Sequence, residues 1–130
     1  MGIISLDKIE QEIGFENAPE FDKDLKHLNK NYDSIYEDME RFKKILRTKV
    51  PNPPRGAIRI SDLGSQVKDP VFKAKEFRCE SMKGKGVRSG IRIIYAYFAS
   101  LNMVLFIEAY YKRQKSNHDK KRILRYLIGG

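Results

Sequence analysis

Ile91-Arg-Ile-Ile-Tyr-Ala-Tyr-Phe98, then Ala99-Ser-Leu-Asn102, then Met103-Val-Leu-Phe-Ile-Glu-Ala-Tyr110 is the stretch that decides the fold. Two runs of β-branched and aromatic residues flank a connection short enough only for a hairpin, so they are predicted to pair antiparallel. Working backwards, Val71 to Phe77 and Ile58 to Ile60 are shorter runs of the same kind, set off by Gly-, Ser- or Asn-containing turns. Four strands are expected in all.

Upstream of Pro51-Asn-Pro-Pro54 the period changes to that of a helix. Pro19 suits a first helical position, and Glu20, Asp22 and Asp24 suit the positive end of a helix dipole. Phe21, Leu25 and Leu28 supply that helix with an apolar stripe. Asp33 or Ser34 is a candidate cap for a second helix, with Ile35, Met39, Phe42, Ile45 and Leu46 at three- and four-residue steps. Phe15 to Ala18 suggests a short strand before the pair, and Ser5, Leu6, Ile9 and Ile13 suggest a short amphipathic helix ending at Gly14. Ser116 or Asn117 is expected to cap a closing helix through Ile123, Leu124 and Leu127. The expected fold is therefore α+β: an N-terminal helical hairpin packed on one face of a four-stranded, mainly antiparallel sheet, with a closing C-terminal helix and the other sheet face free. Residues 1 to 14 form an N-terminal extension and residues 15 to 130 a single domain, as the length of 130 residues suggests.

Charge separates the two parts of the chain. Residues 1 to 40 carry 11 acids against 4 lysines, a balance of −7, whereas residues 41 to 130 carry 6 acids against 22 bases, a balance of +16. Such a surplus attracts polyanions, among which nucleic acid is the commonest partner. Cys79 is the single cysteine, so no internal disulfide forms, and no Cys/His cluster has metal-ligand spacing. Together with the short apolar runs and an N-terminus without a basic stretch, this leads to the expectation of a soluble cytoplasmic protein without metal, cofactor or membrane anchor.

Strand alternation would put Val71, Lys73, Lys75 and Phe77 on one face and Phe72, Ala74, Glu76 and Arg78 on the other. Arg92, Lys112 and Arg113 join the lysine pair if their strands are adjacent. Between the strands, Lys83-Gly-Lys-Gly-Val-Arg-Ser-Gly90 combines glycines, which let backbone amides approach phosphate, with the charges of Lys83, Lys85 and Arg88. It lacks the nucleotide-binding GxxxxGK[ST] pattern. Each lysine taken alone is equally a solvated strand residue that discourages aggregation.

Ala18 to Tyr32, Val71-Phe-Lys-Ala-Lys75, Gly90-Ile-Arg-Ile-Ile-Tyr95, Glu108-Ala-Tyr-Tyr-Lys112 and Ser116 to Ile123 together resemble the RelE/HigB-type toxins of the RelE/ParE superfamily, in order and in spacing. The resemblance covers residues 15 to 127 and implies a RelE-like domain over 15 to 130. It also implies an mRNA endoribonuclease that needs no metal, works in the ribosomal decoding site and inhibits translation. Lys73 and Lys75 match the family's catalytic lysine pair, Arg92 its phosphate-binding arginine, and Lys112 with Arg113 the basic pair after the last strand. Where several relatives carry a catalytic tyrosine, this chain has His118 and Asp119, so His118 becomes a candidate acid or base. Glu108 is a candidate base or a structural partner for Arg92. Lys83, Lys85, Arg88 and Tyr110 are candidates for gripping RNA, Tyr110 by stacking unless it packs in the core. The implied partners are mRNA, the ribosome and a cognate antitoxin with an acidic or amphipathic segment. A homodimer or a heterotetramer with that antitoxin is expected as well, and the apolar stripe of residues 5 to 13, if it is not packed on the core, would offer a second docking surface or a homodimer contact. Two other functions fit the same scaffold: a ParE-like inhibitor of DNA gyrase and a non-catalytic RNA-binding relative.

Overall fold

The computed structural model describes residues 12–129. Its elements run β1 (Gly14–Asn17), α1 (Pro19–Asn29), α2 (Ile35–Lys49), β2 (Ala57–Arg59), β3 (Val71–Ala74), β4 (Ile91–Phe98), β5 (Met103–Tyr111) and α3 (Lys120–Ile128). The helix expected over residues 5 to 13 falls almost entirely outside the described residues. Its last position, Ile13, is buried in the core. Among the described residues no helix is long and apolar enough to cross a membrane.

The helical hairpin forms as its periodicity dictates. Phe21, Leu25 and Leu28 of α1 and Ile35, Met39, Phe42 and Leu46 of α2 are buried, while Ile45 is turned outward. Acids in the first turn of each helix and bases in the last complement the helix dipoles. The hairpin lies on one face of the sheet, where the rings of Phe42, Phe77, Tyr95 and Phe106 meet at centroid distances of 5.7 to 6.4 Å. Ser34 precedes α2 but does not cap it. Its hydroxyl donates to the buried carboxylate of Asp38 at 2.7 Å, and that carboxylate also accepts from Arg41 and from the amide of Glu80.

Three expectations need correction. The sheet has five strands in the order β1-β5-β4-β3-β2, and it is mixed, because β1 pairs parallel with β5 while the other pairs are antiparallel. The fifth strand arises because Gly14–Asn17 aligns with Met103 to Phe106 along an otherwise open edge. The second sheet face is not free. Ile60 and Leu63 from the β2–β3 segment and Ile123 from α3 pack there on Val71, Ile94, Ala96, Ile107 and Tyr110, leaving only the end of the sheet beyond this cluster uncovered. Thirdly, α3 is capped by Asp119, whose side chain accepts from the amide of Arg122, and not by Ser116 or Asn117.

One local feature orders the whole of this side. The β4–β5 ladder slips between Ile94 and Tyr95, which pair with Glu108 and Phe106, so Ile107 is the extra residue of a bulge. At the same place β1 has ended, and the edge of β5 would expose unpaired backbone groups. Two side chains replace the missing strand. Asp24 of α1 accepts the amide of Ala109 at 2.9 Å, and Arg122 of α3 donates to the carbonyl of Ile107 at 3.0 Å. The two side chains are themselves joined, Arg122 donating to Asp24 at 2.6 and 3.3 Å.

Removing Arg122 leaves the Asp24 carboxylate with only the Ala109 amide, and removing Asp24 leaves Arg122 with Glu20 at 3.4 Å and the carbonyl of Ile107; breaking such a largely buried pair typically costs about 3 to 5 kcal/mol. Asp24→Ala and Arg122→Ala are each expected to lose about 3 kcal/mol in urea denaturation. The double variant should lose much less than the sum, because the partners are coupled. Additive losses would show that the two side chains act independently.

Candidate functional site

The bulge determines which side chains share the uncovered end of the second face. Val104 and Phe106 point into the hairpin-side core, and unbroken alternation would send Glu108 after them. The extra residue instead sets Glu108 opposite Ile94 and Tyr110 opposite Arg92, on the face that carries α3. Lys73 is likewise opposite Ile94, so Lys73, Ile94 and Glu108 form one row across three strands, spanning roughly 10 Å. After Ala74 the β3 ladder ends and the alternation fails. Phe77 turns into the hairpin-side core and does not share the face of Lys73, contrary to the expected parity.

The segment after β5 folds back over this row. Its first turn is closed by bonds from the amides of Gln114 and Lys115 to the carbonyl of Tyr111. Glu108, 1 % exposed, then receives the Lys115 amine on one carboxylate oxygen and the amide of Asp119, at 2.8 Å, on the other. Both oxygens are committed, so Glu108 is the anchor of the 115–119 segment. Its partner is Lys115, not Arg92. The guanidinium of Arg92 donates to the carbonyl of Lys75 at 2.9 Å.

Between the anchor points lie Asn117 and His118. The Lys73 amine donates to the Asn117 side-chain oxygen at 2.8 Å. Burial, reinforced by the charges of Lys75 and Arg92, holds Lys73 below the usual lysine range, opposed by Glu108. Burial and then the charge of Lys73 push His118 below the usual imidazole range, against the pull of Glu108 and Asp62. Its ring is therefore mainly uncharged at neutral pH, and its Nδ1 is buried with no partner among the described residues. Sequence reasoning placed His118 beside a helix cap. The half-buried position next to Lys73 follows from the Glu108 anchor.

Tyr110 is 6 % exposed in the second-face core, with the Lys115 amine 5.8 Å from its ring centre, and burial first and Glu108 second push its hydroxyl up to about 12. It is a packing residue here and not an open stacking platform. Tyr111 lies on the opposite side, edge-on to Tyr32. Gly90, which precedes β4, has a φ of +86°, and a side chain there would meet the Tyr111 ring at 3.0 Å, so glycine is needed for this approach.

The remaining basic candidates divide. Lys75 and Lys112 are exposed at the sheet end that holds Arg92, where the Lys112 amide pairs with the carbonyl of Gly90 at 2.9 Å. Arg113 acts on Tyr32, on the hairpin side. Lys83 also lies on that side, because Ser81 is tied to Ser34 at 2.7 Å and Lys83 shares a cavity with Lys30 and Asp33. Lys85 and Arg88 are exposed on the same glycine-containing segment. Asn117, missed in the sequence, is the residue that joins two of the candidates. Its only signal there was its place as an alternative cap for α3.

Comparison with family models, with characterised proteins and with solved structures gives no match to this chain.

The Asp119 carboxyl is held below its ordinary value of 3.8, first by the bond from the Arg122 amide. A depressed carboxylate contributes stability that is complete above its unfolded value and is lost as pH falls through the folded value. Asp119→Ala is thus expected to cost about 1 kcal/mol at neutral pH. The difference from the parent chain should be smaller at about pH 3 than at about pH 7, because the contribution of the carboxylate is progressively lost below its ordinary value of 3.8. Urea denaturation at the two pH values checks this, and a pH-independent difference would remove the cap from the account.

Proposed function

We propose that the protein is a RelE/HigB-like toxin, an endoribonuclease that cleaves mRNA in the cytoplasm and so stops translation. The observation that carries this reading is that Asn117, bonded to the Lys73 amine and to the backbone of His118, brings a half-buried amine and a half-buried imidazole together at the sheet end that holds Arg92.

Cleavage by the neighbouring 2′-hydroxyl needs three functions, and three side chains supply them. His118 takes the proton from the 2′-hydroxyl. The freed oxygen forms a bond to phosphorus as the bond from phosphorus to the 5′-oxygen breaks. The Lys73 ammonium, made a better acid by its surroundings, gives its proton to that leaving oxygen. Arg92, with Lys75 beside it, neutralises the charge gathered on the phosphorane. The products are a 2′,3′-cyclic phosphate and a free 5′-hydroxyl, and one proton has moved from substrate to His118 and one from Lys73 to product. Lys112 extends the positive surface along which the rest of the strand lies. This basic end of the sheet, in a stretch whose balance over residues 41 to 130 is +16, suits an antitoxin with an acidic segment that masks it.

Purified protein is expected to cut RNA, alone or on ribosomes, and to leave RNA with a 2′-deoxy residue at the cut position intact. Activity should follow a bell-shaped pH profile. Its acid limb should lie below the ordinary imidazole value of 6.5, because His118 must be uncharged, and its alkaline limb below 10.5, because Lys73 must be charged. His118→Ala should remove the acid limb, and Lys73→Ala should reduce the rate by about 100-fold or more. Mapping of mRNA 5′ ends in cells expressing the chain decides between functions. DNA damage without mRNA cuts would favour a gyrase target, and neither effect would favour a binding protein.

A further inference from the structure

The Asn117 side-chain oxygen accepts two hydrogen bonds, from the Lys73 amine at 2.8 Å and from the backbone amide of His118 at 2.9 Å. Both neighbours are donors, so the oxygen and not the amide nitrogen must face them. An amide oxygen has two acceptor sites, and both are filled. Asn117 thus ties a strand residue, Lys73, to the backbone of His118, 44 positions away in the chain from Lys73 to Asn117. The tie is itself anchored on the following residue, because the Asp119 amide is held by Glu108 at 2.8 Å.

We infer that Asn117 is a positioning residue that fixes the Lys73 amine beside His118 and governs how readily that amine gives up its proton. The inference rests on the ribonuclease reading for its catalytic meaning, though not for its geometry. A neutral acceptor steadies the ammonium without cancelling its charge, which leaves the amine able to act as an acid. A carboxylate in the same place would steady it too strongly. A free lysine side chain would sample many rotamers and lose the in-line placement that proton transfer to a leaving oxygen requires.

The charged groups around the amine are Lys75 after β3, Arg92 on β4, Glu108 on β5 and His118 after β5, with Asp62 and Lys115 facing His118. None of these makes a hydrogen bond to the Lys73 amine; among the described residues Asn117 alone does. Its own amide nitrogen has no acceptor among them, and the side chain is exposed, so replacement does not open the core.

Two substitutions separate the possible roles. Asn117→Asp keeps the shape and both accepting positions but adds a charge, and Asn117→Ala removes the acceptor. Titration of the Lys73 amine by nitrogen-edited NMR, assigned with Lys73→Arg, needs no RNA. Asn117→Asp is expected to raise its titration midpoint by about one pH unit. In cleavage assays the alkaline limb should move up by the same amount, whereas Asn117→Ala should lower kcat by about 10- to 100-fold with KM little changed. A Lys73 midpoint identical in the parent and Asn117→Asp proteins overturns the inference, as does a parental kcat in Asn117→Ala. If the parent chain cuts no RNA, the ribonuclease reading fails, and the NMR titration still decides whether Asn117 controls the amine.

Discussion

The ion pair of Asp24 and Arg122 closes an edge that the backbone leaves open, and much else is arranged around it. β1 stops at Asn17 because Pro19 starts a helix, so the edge of β5 away from β4 has no strand beside it from Ile107 onward. An unpaired amide and carbonyl there would cost free energy comparable to lost hydrogen bonds. The pair satisfies both and ties α1 and α3 to the same point of β5. Glu20 strengthens the link, holding Arg125 at 2.6 Å and the hydroxyl of Tyr126 at 3.0 Å. An apolar side chain would bury as much surface but supply neither donor nor acceptor to the strand edge, which is the physical reason for a charged pair in this place.

The fold was legible wherever periodicity alone decides. The hairpin helices, the three long strand runs and the tight β4–β5 connection follow from the spacing of Phe21, Leu25 and Leu28, of Ile35, Met39, Phe42 and Leu46, and of the β-branched runs. Local spacing says nothing about partners far away in the chain. Phe15 to Ala18 was readable as extended, but its parallel pairing with Met103 to Phe106 depends on α1 and α2 crossing the sheet between them. The covering of the second face by Ile60, Leu63 and Ile123 was hidden for the same reason.

The site was legible as a set of residue types and not as an arrangement. Lys73, Arg92, Glu108 and His118 were candidates from the sequence, and the fold brings them to one end of one face. Strict alternation would have separated them, since it places Glu108 with Phe106 in the hairpin-side core. The bulge at Ile107 reverses that placement, and no residue in Met103 to Tyr111 announces a bulge: the strand contains neither Gly nor Pro. The loss of alternation after Ala74 similarly detaches Phe77 from Lys73. Lys83 and Arg113 kept the right charge but the wrong side, because attachment of Ser81 to Ser34 and the course of the chain after Tyr111 carry them towards the hairpin.

Lysine and arginine are not interchangeable in such an arrangement. A guanidinium keeps its charge at any physiological pH, and one donor of Arg92 is already fixed on the carbonyl of Lys75, which leaves the rest of the planar group for the anion clamp proposed above. Lys73 differs in that burial and neighbouring cations act on a proton it can lose. The more closely the cations cluster, the stronger the pull on an anion and the weaker the hold on that proton, so one electrostatic field would serve both proposed purposes. Glu108 limits the effect: its charge opposes the loss of the proton from Lys73, while its two oxygens are occupied by Lys115 and Asp119 and cannot collapse onto the clamp. A buried acid among bases therefore keeps the segment in place without neutralising the face it supports.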